Sequence, residues 1–307
     1  LYKVRLRESV FLAYNLILSM NNLLVEVKMS LIVKKAKIYG ELEYIGRSQN
    51  VQLDIGRVAL QLANLDLLQN NIHFYIKKLD QINADLAKCS KTTQNLHEKV
   101  DAMCDVLFRI HGFSGDTETY DNIENANLMS VIDRKQGLPV SLGIIAIQAA
   151  RSQNWDASGV NFPGHFFLKL SDCDNEIWFD PFNECKVLCE NDLKKMLKNM
   201  FGINAKLESQ FIAPICDQDI LMRLQNNIKV RALGNGDIAR AISVLETMAL
   251  LAPLNESILK ELISCELGDQ GPNRALSRLQ NFFATYSKSR NFEELKDLQD
   301  KIKLQIN

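Results

Sequence analysis

The chain has 307 residues, with 36 basic and 37 acidic side chains and a formal net charge of −1. That length suits two or three domains, and the ordinary apolar content excludes a largely disordered chain. The balanced charge argues against a nucleic-acid or membrane partner, and seven cysteines without framework spacing point to reduced thiols in a cytoplasmic protein.

The opening stretch, LYKVRLRESVFLAYNLILSM, sets three basic residues before an apolar run. Glu8 and Asn15 interrupt that run and no small-residue cleavage site follows, so neither a signal peptide nor a bilayer span is expected. Met29 is the expected start of the folded part, with 1–28 an addition before it, and residues 1–45 are read as an N-terminal extension.

Residues 46–125 read as a helical bundle. IGRVALQLANLD and HFYIKKLDQINADLAK carry apolar residues at three- and four-residue spacing. A third helix follows in TQNLHEKVDAMCDVLFRIHG, with a stripe of Leu96, Val100, Met103, Leu107 and Ile110 and a stop at Gly112. FSGDTETYDNIENAN is a loop, and LMSVIDRK is a short helix.

Residues 126–215 form the expected core. Gly137 and Pro139 mark a turn into a helix whose Leu142, Ile145, Ala146, Ala149 and Ala150 recur at helical spacing. Ser141 falls in its first turn, where free backbone N–H groups favour negative charge. GVNFPGHFFLKL (159–170) and EIWFD (176–180) then alternate like two half-buried strands of a hairpin. A four-residue turn at 171–174 sets the expected register, in which Lys169 faces Glu176, Phe167 faces Trp178 and His165 faces Asp180. Phe166, Leu168, Ile177 and Phe179 share the other face. A hydroxyl at a helix start, with a His and an Asp on neighbouring strands, is a layout for acyl transfer. The plainer reading makes Ser141 a helix cap and His165 with Asp180 a structural pair. Pro163 and Gly164 are read as a bend that aims His165.

Residues 216–307 hold an internal repeat. LGNGDIARAISVLE (233–246) matches LGDQGPNRALSRLQ (267–280), with Ala241 aligned to Ala275 and Leu245 to Leu279 at an offset of 34. That is the period of tetratricopeptide helix pairs. Two matches fall short of a self-supporting array, so the tail is expected to pack on the core with Ala241 and Leu245 buried. Cys173, Cys185 and Cys189 fit no zinc spacing, and GNGD (234–237) reads as a repeat turn instead of a phosphate loop. No metal and no cofactor are expected.

The run NLMSVIDRKQGLPVSLGIIAIQAARSQNWDASGVNFPGHFFLKL, followed by FDPFNECKVL, resembles the SirB-type branch of the transglutaminase-like superfamily. The resemblance covers roughly residues 51–285. It implies an α+β fold, with a papain-related core of one helix packed on an antiparallel sheet. An N-terminal helical bundle and C-terminal helical repeats flank that core. Enzymes of the superfamily use a Cys, a His and an Asp; His165 and Asp180 match the last two, and Ser141 stands where the Cys belongs. The branch has no established reaction. Two readings follow: a non-catalytic protein that binds a protein or peptide partner through the core groove and the repeats, or a hydrolase or acyl transferase built on Ser141, His165 and Asp180. The serine favours the first, because a hydroxyl is far less acidic than a thiol.

Overall fold

The computed structural model describes residues 29–48, 51–66, 71–173, 175–286 and 292–306, and the reading of 1–28 lies outside them. The first described element is a helix, α1 (29–47), where the sequence reading had an extension through residue 45. Ile38 and Leu42, four residues apart, are buried, and the Tyr39 hydroxyl donates to Glu246 at 3.2 Å. A side chain at Gly46 would collide with the carbonyl of Leu250. The helix is therefore seated on the body of the protein by its own apolar stripe.

Helices α2 (Ile55–Asp66), α3 (Ile72–Cys89) and α4 (Leu96–Cys104) complete the N-terminal bundle. Asn71 and Asn95 cap α3 and α4 by accepting from backbone N–H groups of the first turn. A wider turn at Asp105–Ile110 extends α4, and Gly112, at φ +70°, ends it. The expected loop that follows contains a short strand, β1 (Ser114–Gly115), and a tight turn at Ile123–Ala126. After α5 (Leu128–Arg134), the strand β2 (Gln136–Gly137) pairs in parallel with β1 and leads into α6 (Pro139–Ser152).

Helix α6 is buried around most of its circumference, from Val140 through Ile147 and again at Ala149 and Ala150. That burial requires neighbours on every side. They are α2, α3, the tail helix α8 (Asp217–Gly234), and the strands β3 (Asp156–Val160) and β4 (Phe167–Ser171). The last two belong to an antiparallel sheet completed by β5 (Glu176–Asp180), β6 (Lys186–Leu188) and β7 (Pro214–Ile215), in the order β6-β5-β4-β3-β7.

The faces of the hairpin are as expected. Phe166, Leu168, Leu170, Ile177 and Phe179 join α6 in the main core. Phe167 and Trp178 lie in a second cluster with Leu193 and Leu197 of α7 (Glu190–Phe201). Two details differ. The segment 159–170 is not one strand: β3 ends at Val160, and β4 starts only at Phe167. The register is shifted by two, so Lys169 sits opposite Trp178 and Ser171 opposite Glu176. The turn starts one residue later than expected. Asp172 donates its N–H to the Asn175 carbonyl at 3.0 Å, and its carboxylate accepts from the Asn175 N–H at 3.0 Å. A shift of two keeps every side chain on its face. The expected pairs therefore survive as diagonal neighbours, including the Lys169–Glu176 ion pair.

The tail continues from α8 through α9 (Ile238–Leu251), α10 (Glu256–Asp269), α11 (Pro272–Tyr286) and α12 (Glu293–Ile306). Ala241, Leu245, Ala275 and Leu279 are all fully buried. Leu245 and Met248 belong to the main core, whereas Leu279 packs with Phe282, Phe292 and Leu295 in a separate cluster at the far end. Asp217 at the head of α8 accepts from Arg151 of α6 at 2.7 Å and from the Leu53 N–H at 2.8 Å, which ties tail to core.

Candidate functional site

His165 precedes β4 and is held by the turn at Pro163 and Gly164. Its N–H donates to the Phe162 carbonyl at 3.0 Å, Gly164 sits at φ +65°, and the Met200 side chain of α7 lies over that glycine. The His165 Nε2 is 2.9 Å from Asp180 Oδ2, with the imidazole side chain 25% exposed and the carboxylate 1%. Asp180 also accepts from Asn183 Nδ2 at 2.5 Å and from the Phe182 N–H at 2.8 Å. Burial pushes the Asp180 pKa up, but the hydrogen bonds from His165, Asn183 and Phe182 outweigh it, and the carboxyl titrates below its ordinary range. An ionised Asp180 accepts from the imidazole Nε2–H and so fixes the orientation of the ring.

Ser141 is in the first turn of α6, as expected, and is completely buried. Its hydroxyl does not join the pair. It donates to the backbone carbonyl of Asn125 at 2.7 Å, and among the described residues no hydrogen bond links it to His165. The same carbonyl accepts from the Leu138 N–H at 3.1 Å. The Asn125 side chain donates to the Thr119 carbonyl at 2.8 Å and accepts from Arg134 at 2.9 Å. Arg134 reaches on to the buried Asp116 at 3.2 Å. Burial raises the Asp116 pKa, and hydrogen bonds from Thr119, Asn125 and Arg134 more than reverse this, lowering it to about 2. The start of α6 is thus fastened to the turn at Ile123–Ala126 by a satisfied polar network.

The structure therefore joins His165 to Asp180 and joins Ser141 to Asn125. The sequence reading missed Asn125 and Asn183. The signal for Asn183 was the turn-forming run Asp180-Pro181-Phe182-Asn183. Asn125 had no comparable signal, because it lies in an aperiodic loop. Cys185 is buried, and burial holds its thiol well above the usual range, so it is a poor nucleophile. The neighbouring Cys104 donates to the Glu184 carbonyl at 3.2 Å. Among the described residues, no group of three or more His, Cys, Asp or Glu side chains is placed to hold a metal ion, and no helix is long and apolar enough to cross a membrane.

Comparison with known proteins agrees with this architecture. A UPF0162 protein of Xylella fastidiosa is 28% identical over 200 residues, covering 64% of this chain and 70% of the relative. A UPF0162 protein of Vibrio cholerae is 28% identical over 48% of this chain and 57% of its own length. Protein SirB1 of Salmonella typhimurium is 23% identical over 51% of this chain and 58% of its own length. The family model described as the transglutaminase-like superfamily matches residues 73–226, which run from the start of α3 through the sheet into α8. The chain belongs to the transglutaminase-like superfamily, in the branch of the SirB1 and UPF0162 proteins.

Proposed function

We propose that this chain is a non-catalytic member of its superfamily, a cytoplasmic protein that binds a protein or peptide partner through the core groove and the tetratricopeptide-like tail. One observation carries the reading: the Ser141 hydroxyl is buried and donates to Asn125, not to His165. A hydroxyl attacks a carbonyl only when a base takes its proton, and a donor committed to a backbone oxygen lacks that contact. The tail supports the binding half of the proposal. A cleft of about 340 Å³ is lined by helices α9, α10 and α11, with Leu259, Phe282 and Tyr286 supplying apolar wall and Asn255, Arg274 and Asn281 supplying polar groups. Such a mixture suits an extended peptide.

The alternative is a hydrolase or acyl transferase with Ser141 as nucleophile, His165 as base and Asp180 as the group that orients it. It is favoured by the His165–Asp180 bond and by the depressed pKa of Asp180. Photocrosslinking in the full chain tests the binding proposal, with a benzophenone side chain placed at Asn281. Crosslinks to a partner should be lost in Arg274→Glu and kept in Ser141→Ala. Crosslinks that persist in Arg274→Glu contradict binding in the tail cleft.

A further inference from the structure

Residues 194–206, KKMLKNMFGINAK, carry four lysines and no acidic residue, in a chain of net charge −1. They span the last turns of α7 and the loop beyond it. Residues 198–204 are all exposed, and among them Met200 is 52% exposed, Phe201 62% and Ile203 82%. We infer that this tip is a docking surface for an anionic lipid bilayer, with Phe201 and Ile203 entering the interface and the lysines on the headgroups.

The fold explains why the tip projects. Leu193 and Leu197 are buried with Phe167 and Trp178, so the body of α7 is held against the sheet. Gly202, at φ +90°, ends the helix and turns the chain outward to Ile203. Met200 lies back over Gly164, which leaves Phe201 and Ile203 as the side chains that protrude. Phe201 follows Lys194 and Lys198 at seven and three residues, so the aromatic ring and two cations share one helix face.

The charges on this tip are available. Lys194 pairs with Glu190 at 2.6 Å, and among the described residues Lys195, Lys198 and Lys206 have no ion-pair partner. The flanking acids are engaged locally: Asp192 accepts from the Cys189 N–H at 3.0 Å, and Glu208 accepts from Gln210.

The kind of cation selects the occupant. Protein interfaces favour arginine and are poor in lysine, whereas an anionic lipid surface attracts lysine as a point charge that needs no fixed geometry. Aromatic and aliphatic side chains set beside lysines are the composition of a segment that enters a membrane interface. Among the described residues no helix is long and apolar enough to cross a membrane, so the contact is made from one side.

Co-sedimentation of the full chain with phosphatidylcholine vesicles, with and without about 30% phosphatidylserine, tests this. Binding should be at least about 10-fold tighter to the anionic vesicles and should weaken as salt rises. Phe201→Ser with Ile203→Ser, and Lys195→Glu with Lys198→Glu, should each weaken it about 10-fold or more at unchanged melting temperature, because all four side chains are exposed. If a double variant does not fold, Ile203→Glu alone should weaken binding at least about 5-fold. No sedimentation at about 1 mM anionic lipid overturns the inference. So does binding that these variants leave unchanged, or binding that is equal on neutral vesicles. A dimer in light scattering that Phe201→Ser with Ile203→Ser dissociates assigns the tip to a second copy of this chain and overturns it too.

Discussion

Ser141 donates its hydroxyl proton to the carbonyl of Asn125, 2.7 Å away, and so closes the start of α6 onto the preceding turn. The carbonyl has a second donor, the Leu138 N–H. Ser141→Ala therefore leaves Asn125 paired, and only the net value of one hydrogen bond is lost. The expected cost is about 0.5–1.5 kcal/mol in a urea titration. A loss above about 3 kcal/mol contradicts this account of Ser141, because it implies an orphaned buried group.

The Asp180 carboxyl has a folded-state pKa below the unfolded value of about 3.9. A depressed carboxylate stabilises the fold at pH values above its unfolded pKa and loses that contribution as pH falls through its folded pKa. The stability gap between the native chain and Asp180→Asn should be level above about pH 5 and should close below about pH 4. Urea midpoints across that range check this, and a gap that widens toward acid contradicts it.

Gly164 is at φ +65° beneath the Met200 side chain. Gly164→Ala should cost about 1–2 kcal/mol from the left-handed backbone alone. It should also displace the His165 ring, seen as a change in that ring's NMR shifts. Adding Met200→Ala removes the contact but not the backbone strain, so it should restore stability only in part. Full recovery shows that the turn does not need glycine.

The repeat residues make a contrasting pair. Leu245 lies in the main core and Leu279 in the terminal cluster. Leu245→Ala should lower the stability of the whole chain by about 2–5 kcal/mol. Leu279→Ala should instead speed hydrogen exchange in α11 and α12 first. Limited proteolysis is the complementary check. A stable fragment ending near residue 215, with a separately folded tail, contradicts the packing of Leu245 and Asp217 against the core.

Much of this arrangement was legible in the sequence, for identifiable reasons. Strict alternation placed Phe166, Leu168, Ile177 and Phe179 on one face, because a strand has only two. Helical spacing and the offset of 34 marked Ala241 and Leu245 as buried. The register was misread by two because turn composition alone does not show that Asp172 starts the turn by bonding Asn175 at both its N–H and its carboxylate. Helix α1 was missed because the spacing of Ile38, Leu42 and Ile45 is diluted by exposed Ile32 and Val33. The Ser141 partner was invisible for a different reason. Asn125 lies 16 residues away and presents its backbone carbonyl, which every residue type possesses.

The central claim is that Ser141 fastens the fold and does not attack substrates. Its most direct test is incubation of the full native chain with a fluorophosphonate probe, followed by mass spectrometry of the peptide carrying Ser141. The account predicts no adduct at Ser141, with the same result in His165→Ala. Stoichiometric labelling of Ser141 that disappears in His165→Ala contradicts it and makes His165 the base of a working nucleophile.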